Sequence, residues 1–157
     1  MSLEIQNETS KELTQLFLQK QFDIVELKCL SIIQFQKDNE FAINLLACSL
    51  MEQKKFDDSI FYFKKSLSIN KKNPETYLNL ARIYFIKKEI DLSLNYYLKV
   101  LELRDDIYYV YYELGNVYVV KNDDVNAVKN FAKSVSLKSD FADGHFNLGV
   151  FLKKLNK

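Results

Sequence analysis

The residues best equipped for catalysis or metal binding in this chain are one histidine, His145, and two cysteines, Cys29 and Cys48. A nucleophile needs a base within hydrogen-bond reach, and zinc needs several such ligands at short, regular spacings. The two cysteines form no CxxC motif and have no histidine nearby in sequence, so neither a disulfide framework nor a zinc site is expected. Cys29 sits at an apolar helix position and reads as a small buried hydrophobe. Cys48 could face a surface, yet no adjacent basic residue would lower its thiol pKa. His145 stands where earlier units carry bulky packing residues, which marks it as a structural imidazole. No Ser/His/Asp set converges, and three glycines supply no phosphate-binding loop. The chain is expected to be no enzyme and to need no metal or cofactor.

Charge removes further classes of partner. Twenty-two basic and 21 acidic residues leave a net charge of +1, which gives nucleic acid or anionic lipid nothing to hold. The aromatic stretch from Tyr108 to Tyr118 could stack bases, but it lacks the basic stripe that single-strand binding requires. The apolar runs are shorter than the roughly 18 to 20 residues that a membrane helix needs. Residues 1–10 are polar where a signal peptide would be apolar. The expectation is a soluble, cytoplasmic protein in a reducing compartment, with no nucleic acid and no membrane among its partners.

The elements declare themselves by repetition. Tyr77, Leu80, Ala81 and Tyr84 recur as Tyr111, Leu114, Gly115 and Tyr118, and then as His145, Leu148, Gly149 and Leu152, each set displaced by 34 residues. The same displacement upstream gives Ile43, Leu46, Ala47 and Leu50. A second set follows each first one: Phe56, Ser59, Phe63 and Ser66; Ile90, Ser93, Tyr97 and Val100; Asp124, Ala127, Phe131 and Ser134. Spacings of three and four put each set on one face of a helix, so every unit is two short amphipathic helices. Gln53-Lys54-Lys55 and Lys121-Asn122-Asp123 break the helices within units, while Asn73 and Pro74 have the chemistry of a cap and a first helical turn. Glycine within a helix costs about 1 kcal/mol relative to alanine. Gly115 and Gly149 are therefore expected where a second helix, carrying Phe131 or its equivalent, comes too close for a larger side chain.

With these residues in view, the chain resembles the tetratricopeptide repeat family, whose 34-residue pattern places a bulky residue, Leu-Gly and Tyr in a first helix and Ala, Phe/Tyr and Ala in a second. The resemblance implies an all-α, right-handed superhelical solenoid of antiparallel helical hairpins, about nine helices in one array spanning 1–157. Its repeats would be 6–39, 40–73, 74–107 and 108–141, followed by a lone helix, 142–157. The first is degenerate, with Thr9 and Glu12 at apolar positions, although Leu13, Leu16, Phe22 and Val25 hold the register. A polar first repeat suits a solvent-facing end.

The family's first helices line a concave groove that holds peptides or helices, and function resides in the groove side chains. By that resemblance the groove here would read Phe41, Asn44, Leu45, Cys48 and Met51; Leu78, Asn79, Arg82, Phe85 and Ile86; Tyr109, Tyr112, Glu113, Asn116, Val119 and Val120; and Phe146, Asn147 and Val150. So apolar a lining fits another protein or peptide that presents an apolar or amphipathic segment. Asn79, Asn116 and Asn147 could hydrogen-bond a ligand backbone. One subfamily clamps acidic C-terminal tails with lysine, asparagine and arginine. The matching positions here are Ser10, Thr14, Leu45, Glu75 and Asn79, and later windows place Tyr109 or Glu113 where cations are needed, so that carboxylate clamp is absent.

The expected role is a scaffold or adaptor; the alternatives are a self-association module, a small secretion or assembly chaperone, or a fused regulatory domain. On the last helix Leu148, Phe151 and Leu155 form a stripe with no following helix to cover it. A longer parent chain, a second copy in a homodimer, or solvation by Lys153, Lys154 and Lys157 would each account for it.

Overall fold

The computed structural model describes residues 3–156, with side chains from Glu8 onward. Met1, Ser2 and Lys157, on which part of the reading of the two ends rests, lie outside the described residues. Among the described residues there are nine α-helices and no strand: α1 (Leu3–Leu18), α2 (Phe22–Phe35), α3 (Glu40–Glu52), α4 (Phe56–Ile69), α5 (Pro74–Ile86), α6 (Ile90–Leu103), α7 (Tyr108–Val120), α8 (Asp124–Leu137) and α9 (Ala142–Leu155). First helices α3, α5, α7 and α9 begin at Glu40, Pro74, Tyr108 and Ala142, and second helices α2, α4, α6 and α8 at Phe22, Phe56, Ile90 and Asp124. Both series keep the interval of 34 residues found in the sequence. None of these helices is long and apolar enough to cross a membrane.

Local chemistry explains the boundaries. Asn39 and Asp123 accept from the backbone N–H groups of Ala42 (3.0 Å) and Asn126 (3.1 Å), which starts α3 and α8. Asn73 does the same for Thr76 at 3.1 Å, with Pro74 in the first turn of α5. The turns inside the hairpins use a device the sequence does not announce. Lys20, Lys54, Lys88 and Asn122, one per repeat, adopt left-handed backbone with φ of 59°, 61°, 62° and 57°. The next N–H in each case, from Gln21, Lys55, Glu89 or Asp123, reaches back to the carbonyl of Leu16, Leu50, Tyr84 or Tyr118 at 2.9–3.0 Å. That is the Schellman closure usually built on glycine. Here lysine fills the position three times, at a conformational cost that the recovered hydrogen bonds offset.

The chain forms two compact units, Met1–Thr76 and Tyr77–Lys157, with the division in the first turn of α5. In the first, Leu13, Val25, Cys29, Ile33, Ala42, Ile43, Leu46 and Leu50 are buried together, with Leu16, Phe17 and Ile32 packed around them. The degenerate first hairpin is thus held by its apolar register, while Glu12 stays exposed. In the second, Ala81, Tyr97, Val100, Val110, Leu114 and Val117 form the buried cluster. The bulkiest fully buried side chains are Tyr97, Phe63 and Phe131, which share one repeat position.

Small residues answer to those large ones. A methyl group on Gly115 would lie 2.6 Å from Phe131 Cδ1 and 2.8 Å from its Cζ, so α8 presses on α7 as the sequence argument requires. Gly149 departs from the sequence expectation of a close second helix, because an added Cβ there would meet nothing within 4 Å. Among the described residues no second helix follows α9 to press on it. Gly144, which the period alone does not single out, is buried and tight, since a Cβ there would stand 2.6 Å from Phe141 Cδ1 and 2.8 Å from Val135 Cγ1.

Buried serines follow a similar logic. Ser59 and Ser93 donate to the carbonyls of Ala47 (2.7 Å) and Ala81 (2.9 Å). Ser66 accepts from Asn44 at 3.3 Å. Ser134 occupies the Ser66 position two repeats later, but Tyr112 replaces the asparagine, and the Ser134 hydroxyl is buried without a partner among the described residues. An unsatisfied buried hydroxyl costs about 1–3 kcal/mol. Ser134→Ala is therefore expected to raise stability by about 1 kcal/mol, measured as a higher urea midpoint at unchanged slope. A lower midpoint would show that the hydroxyl has a partner after all.

Candidate functional site

Each unit carries a hollow lined by side chains of its first helices. In the first unit, Glu40, Phe41, Asn44, Leu45 and Cys48 of α3 enclose about 340 Å³ together with Asn73. The Glu40 carboxylate accepts from the Asn70 amide at 3.1 and 3.3 Å and from the Asn73 amide at 3.1 Å, which ties the loop before α5 to the start of α3. Asn44 donates to Ser66 Oγ at 3.3 Å and also to Thr76 Oγ1, and its carbonyl accepts from Cys48 Sγ at 3.6 Å. Both amide protons of Asn44 are committed, so it braces the hollow from inside and has no donor left for a ligand. Phe41 is 40% exposed and forms the accessible wall. Burial, with help from Glu52, pushes the Cys48 thiol up to about 12, so it remains protonated at neutral pH. Cys29, fully buried, is likewise raised to about 12 by burial.

In the second unit, Arg82, Phe85 and Ile86 of α5, Tyr97 of α6, and Tyr109 and Glu113 of α7 enclose about 300 Å³. The Arg82 guanidinium lies 5.0 Å from the centre of the Tyr109 ring, a cation–π distance. Burial first, and then Glu113, hold the Tyr109 phenol above its ordinary pKa. Tyr97 is raised too, chiefly by burial. Both phenols therefore stay neutral and act as aromatic walls. Beside them, Asn147 of α9 donates to Tyr112 Oη at 3.3 Å and to Asn116 Oδ1 at 3.5 Å, while Asn116 donates to Glu113 at 3.3 Å. Tyr112 also packs edge-on against Phe141, with ring centres 5.0 Å apart.

The residues read from the sequence as a groove thus separate by role. Phe41, Asn44 and Cys48 share the first hollow, and Arg82, Phe85 and Tyr109 the second. Tyr112, Asn116 and Asn147 form one hydrogen-bonded group, and Asn79 and Val119 are half-buried. Leu78 packs on the Ala81–Tyr97 cluster and is only partly accessible. Phe146 is the most open, at 71% exposure, with Ile86 at 57%. Of the stripe on α9, Phe151 is turned onto Phe131 with ring centres 5.9 Å apart and Leu148 is half-buried, whereas Leu155 is exposed.

Sequence reasoning missed Glu40, Asn73 and Tyr97 as lining residues. The first two belong to helix-start chemistry and the third to a second helix. It also missed a larger hollow of about 580 Å³ centred on α6, lined by Tyr77, Leu92, Asn95, Tyr96, Leu98, Lys99 and Glu102. The signal available was Leu92 and Leu98 standing among Asn95 and Lys99, apolar residues on the helix face that binary patterning assigns to solvent. His145 is exposed, with its Nε2 2.9 Å from the Ser139 carbonyl oxygen. Among the described residues no group of three His, Cys, Asp or Glu side chains could hold a metal ion.

Comparison with known proteins adds three findings. A family model described as Tetratricopeptide repeat matches residues 42–73 and 74–107. No curated protein sequence matches the chain. Among solved structures, a crystal structure of MamA superposes with a TM-score of 0.84 at 19% identity, covering 90% of this chain and 83% of that one. The structure of the first TPR of Spaghetti (RPAP3) bound to HSP90 peptide SRMEEVD gives a TM-score of 0.70 at 17% identity, covering 75% of this chain and 94% of that one. At such identities the likeness is one of fold.

Proposed function

The chain is a tetratricopeptide-repeat protein, with family repeats at residues 42–73 and 74–107, and from that premise we propose that it is a protein–protein interaction scaffold that binds a peptide or amphipathic helix through its first-helix side chains. The observation that carries this reading is the second-unit hollow, where Arg82, Phe85 and Tyr109, all drawn from the first-helix set, meet around one accessible volume. The peptide complex of the Spaghetti (RPAP3) repeat supports it by showing a similar fold occupied by a peptide. The positions of the acid-tail clamp hold no cations here, so the partner is selected by aromatic and apolar contact with polar guidance from Arg82, Asn116 and Asn147. Cys29 and Cys48 form no disulfide, which fits a reducing cytoplasm. In this reading the chain acts by holding its partner.

The test is selection of a random dodecapeptide phage library on the purified chain and on Ile86→Glu/Phe146→Glu. These positions are exposed enough to accept a charge, whereas Leu78 and Tyr112 are packed into the fold and would report instability instead. Peptides enriched on the native chain should bind the double variant at least about tenfold more weakly, the cost of losing about 1.4 kcal/mol, with the melting temperature unchanged. Equal binding to both proteins would refute the groove. A second reading, self-association through α9, is favoured by the exposure of Leu152 and Leu155. Light scattering over a concentration series tests it, and a strict monomer removes it.

A further inference from the structure

We propose that the second-unit hollow reads a side-chain carboxylate, so that the bound segment carries an aspartate or glutamate next to an apolar residue; this rests on the groove reading above. The two charges in the hollow differ in how far they are already satisfied. Glu113 is provided for: it accepts from Asn116 at 3.3 Å and interacts with the Tyr109 hydroxyl. Arg82 forms no ion pair among the described residues: it lies 5.0 Å from the centre of the Tyr109 ring and hydrogen-bonds the Tyr109 side chain. Contact with Tyr109 positions the guanidinium and engages only part of its five N–H donors, and the donors that remain suit capture of a carboxylate. Phe85, Ile86, Tyr97 and Tyr109 wall the space, and displacement of water from aromatic walls strengthens such a pair.

The volume of about 300 Å³ fits one acidic side chain with part of an apolar neighbour, and falls well short of a folded surface. Exposed Ile86 offers the apolar contact. Glu113 disfavours an acid placed on the α7 side and so confines the carboxylate to the Arg82 edge.

The test uses the phage library of the preceding section, with peptides fused through their C-termini so that only side-chain carboxylates are offered. Peptides enriched on the native chain should carry Asp or Glu beside Leu, Ile or Phe. For a C-terminally amidated synthetic copy of one such peptide, Arg82→Gln should weaken binding about 10- to 100-fold, and changing the peptide acid to its amide should weaken it equally. The two changes together should cost little more than either alone, and Arg82→Lys should recover part of the loss. Glu113→Gln should tighten binding several-fold. Circular dichroism and melting of Arg82→Gln establish that the fold is kept. Peptides that need Ile86 and Phe146 but are indifferent to Arg82 overturn the carboxylate while sparing the groove. A free-acid peptide that needs its terminus and tolerates loss of its side-chain acid overturns the side-chain assignment. Failure to enrich any peptide overturns both proposals.

Discussion

Replacing Phe131 with alanine is expected to cost about 4 kcal/mol of folding stability. The ring is fully buried, fits against Gly115 of α7, lies 5.7 Å centre to centre from Tyr112, and meets Phe151 of α9 at 5.9 Å. One side chain therefore holds three helices. Truncation to alanine removes the transfer energy of the ring and leaves a cavity that α7, α8 and α9 cannot all collapse into. Urea titration followed by circular dichroism measures the change. A loss below about 1.5 kcal/mol, the scale of a tolerated core swap, would mean that α7, α8 and α9 can close on the vacancy, and the central position given to this ring would be wrong.

The second expectation is a contrast between two glycines at the same repeat position. Gly115→Ala should destabilise by about 2 kcal/mol, because the added methyl meets the buried Phe131 ring and overpacking costs about 1–3 kcal/mol even after the better helix propensity of alanine is counted. Gly149→Ala should stabilise by about 0.5–1 kcal/mol, because its Cβ meets nothing and only the propensity gain remains. The two should couple differently to Phe131: in a Phe131→Ala background the penalty at Gly115 should vanish, while the gain at Gly149 should persist. Equal effects at both sites would show that α8 does not press on α7 in the way described.

Much of this architecture was legible in the sequence, and the reason is physical. A 34-residue unit cannot bury its apolar faces alone, so each copy repeats the same small and bulky positions, and the repetition exposes helix starts and core residues together. Leu114, Gly115 and Phe131 are found this way. What escaped depends on neighbours more than on spacing. The left-handed turns are carried by Lys20, Lys54, Lys88 and Asn122, and nothing in a lysine announces positive φ. Asn44 has the composition of a ligand-facing amide, but its protons are taken by Ser66 and Thr76, which the linear sequence does not place beside it. Gly149 obeys the period, but among the described residues nothing packs on it as Phe131 packs on Gly115. The α6 hollow lies among residues that patterning assigns to solvent.

That hollow also supplies the sharpest rival to the binding site. Its asparagine, Asn95, and the first-helix asparagines, Asn116 and Asn147, lie in the same unit and all carry side-chain amides that nuclear magnetic resonance can follow separately. Titration of the labelled chain with one selected peptide therefore decides between the faces. The account predicts that the side-chain signals of Asn116, Asn147 and Arg82 shift and saturate together while Asn95 stays still. Saturating shifts at Asn95, with Arg82, Asn116 and Asn147 unmoved, would place the partner on α6 and contradict the account.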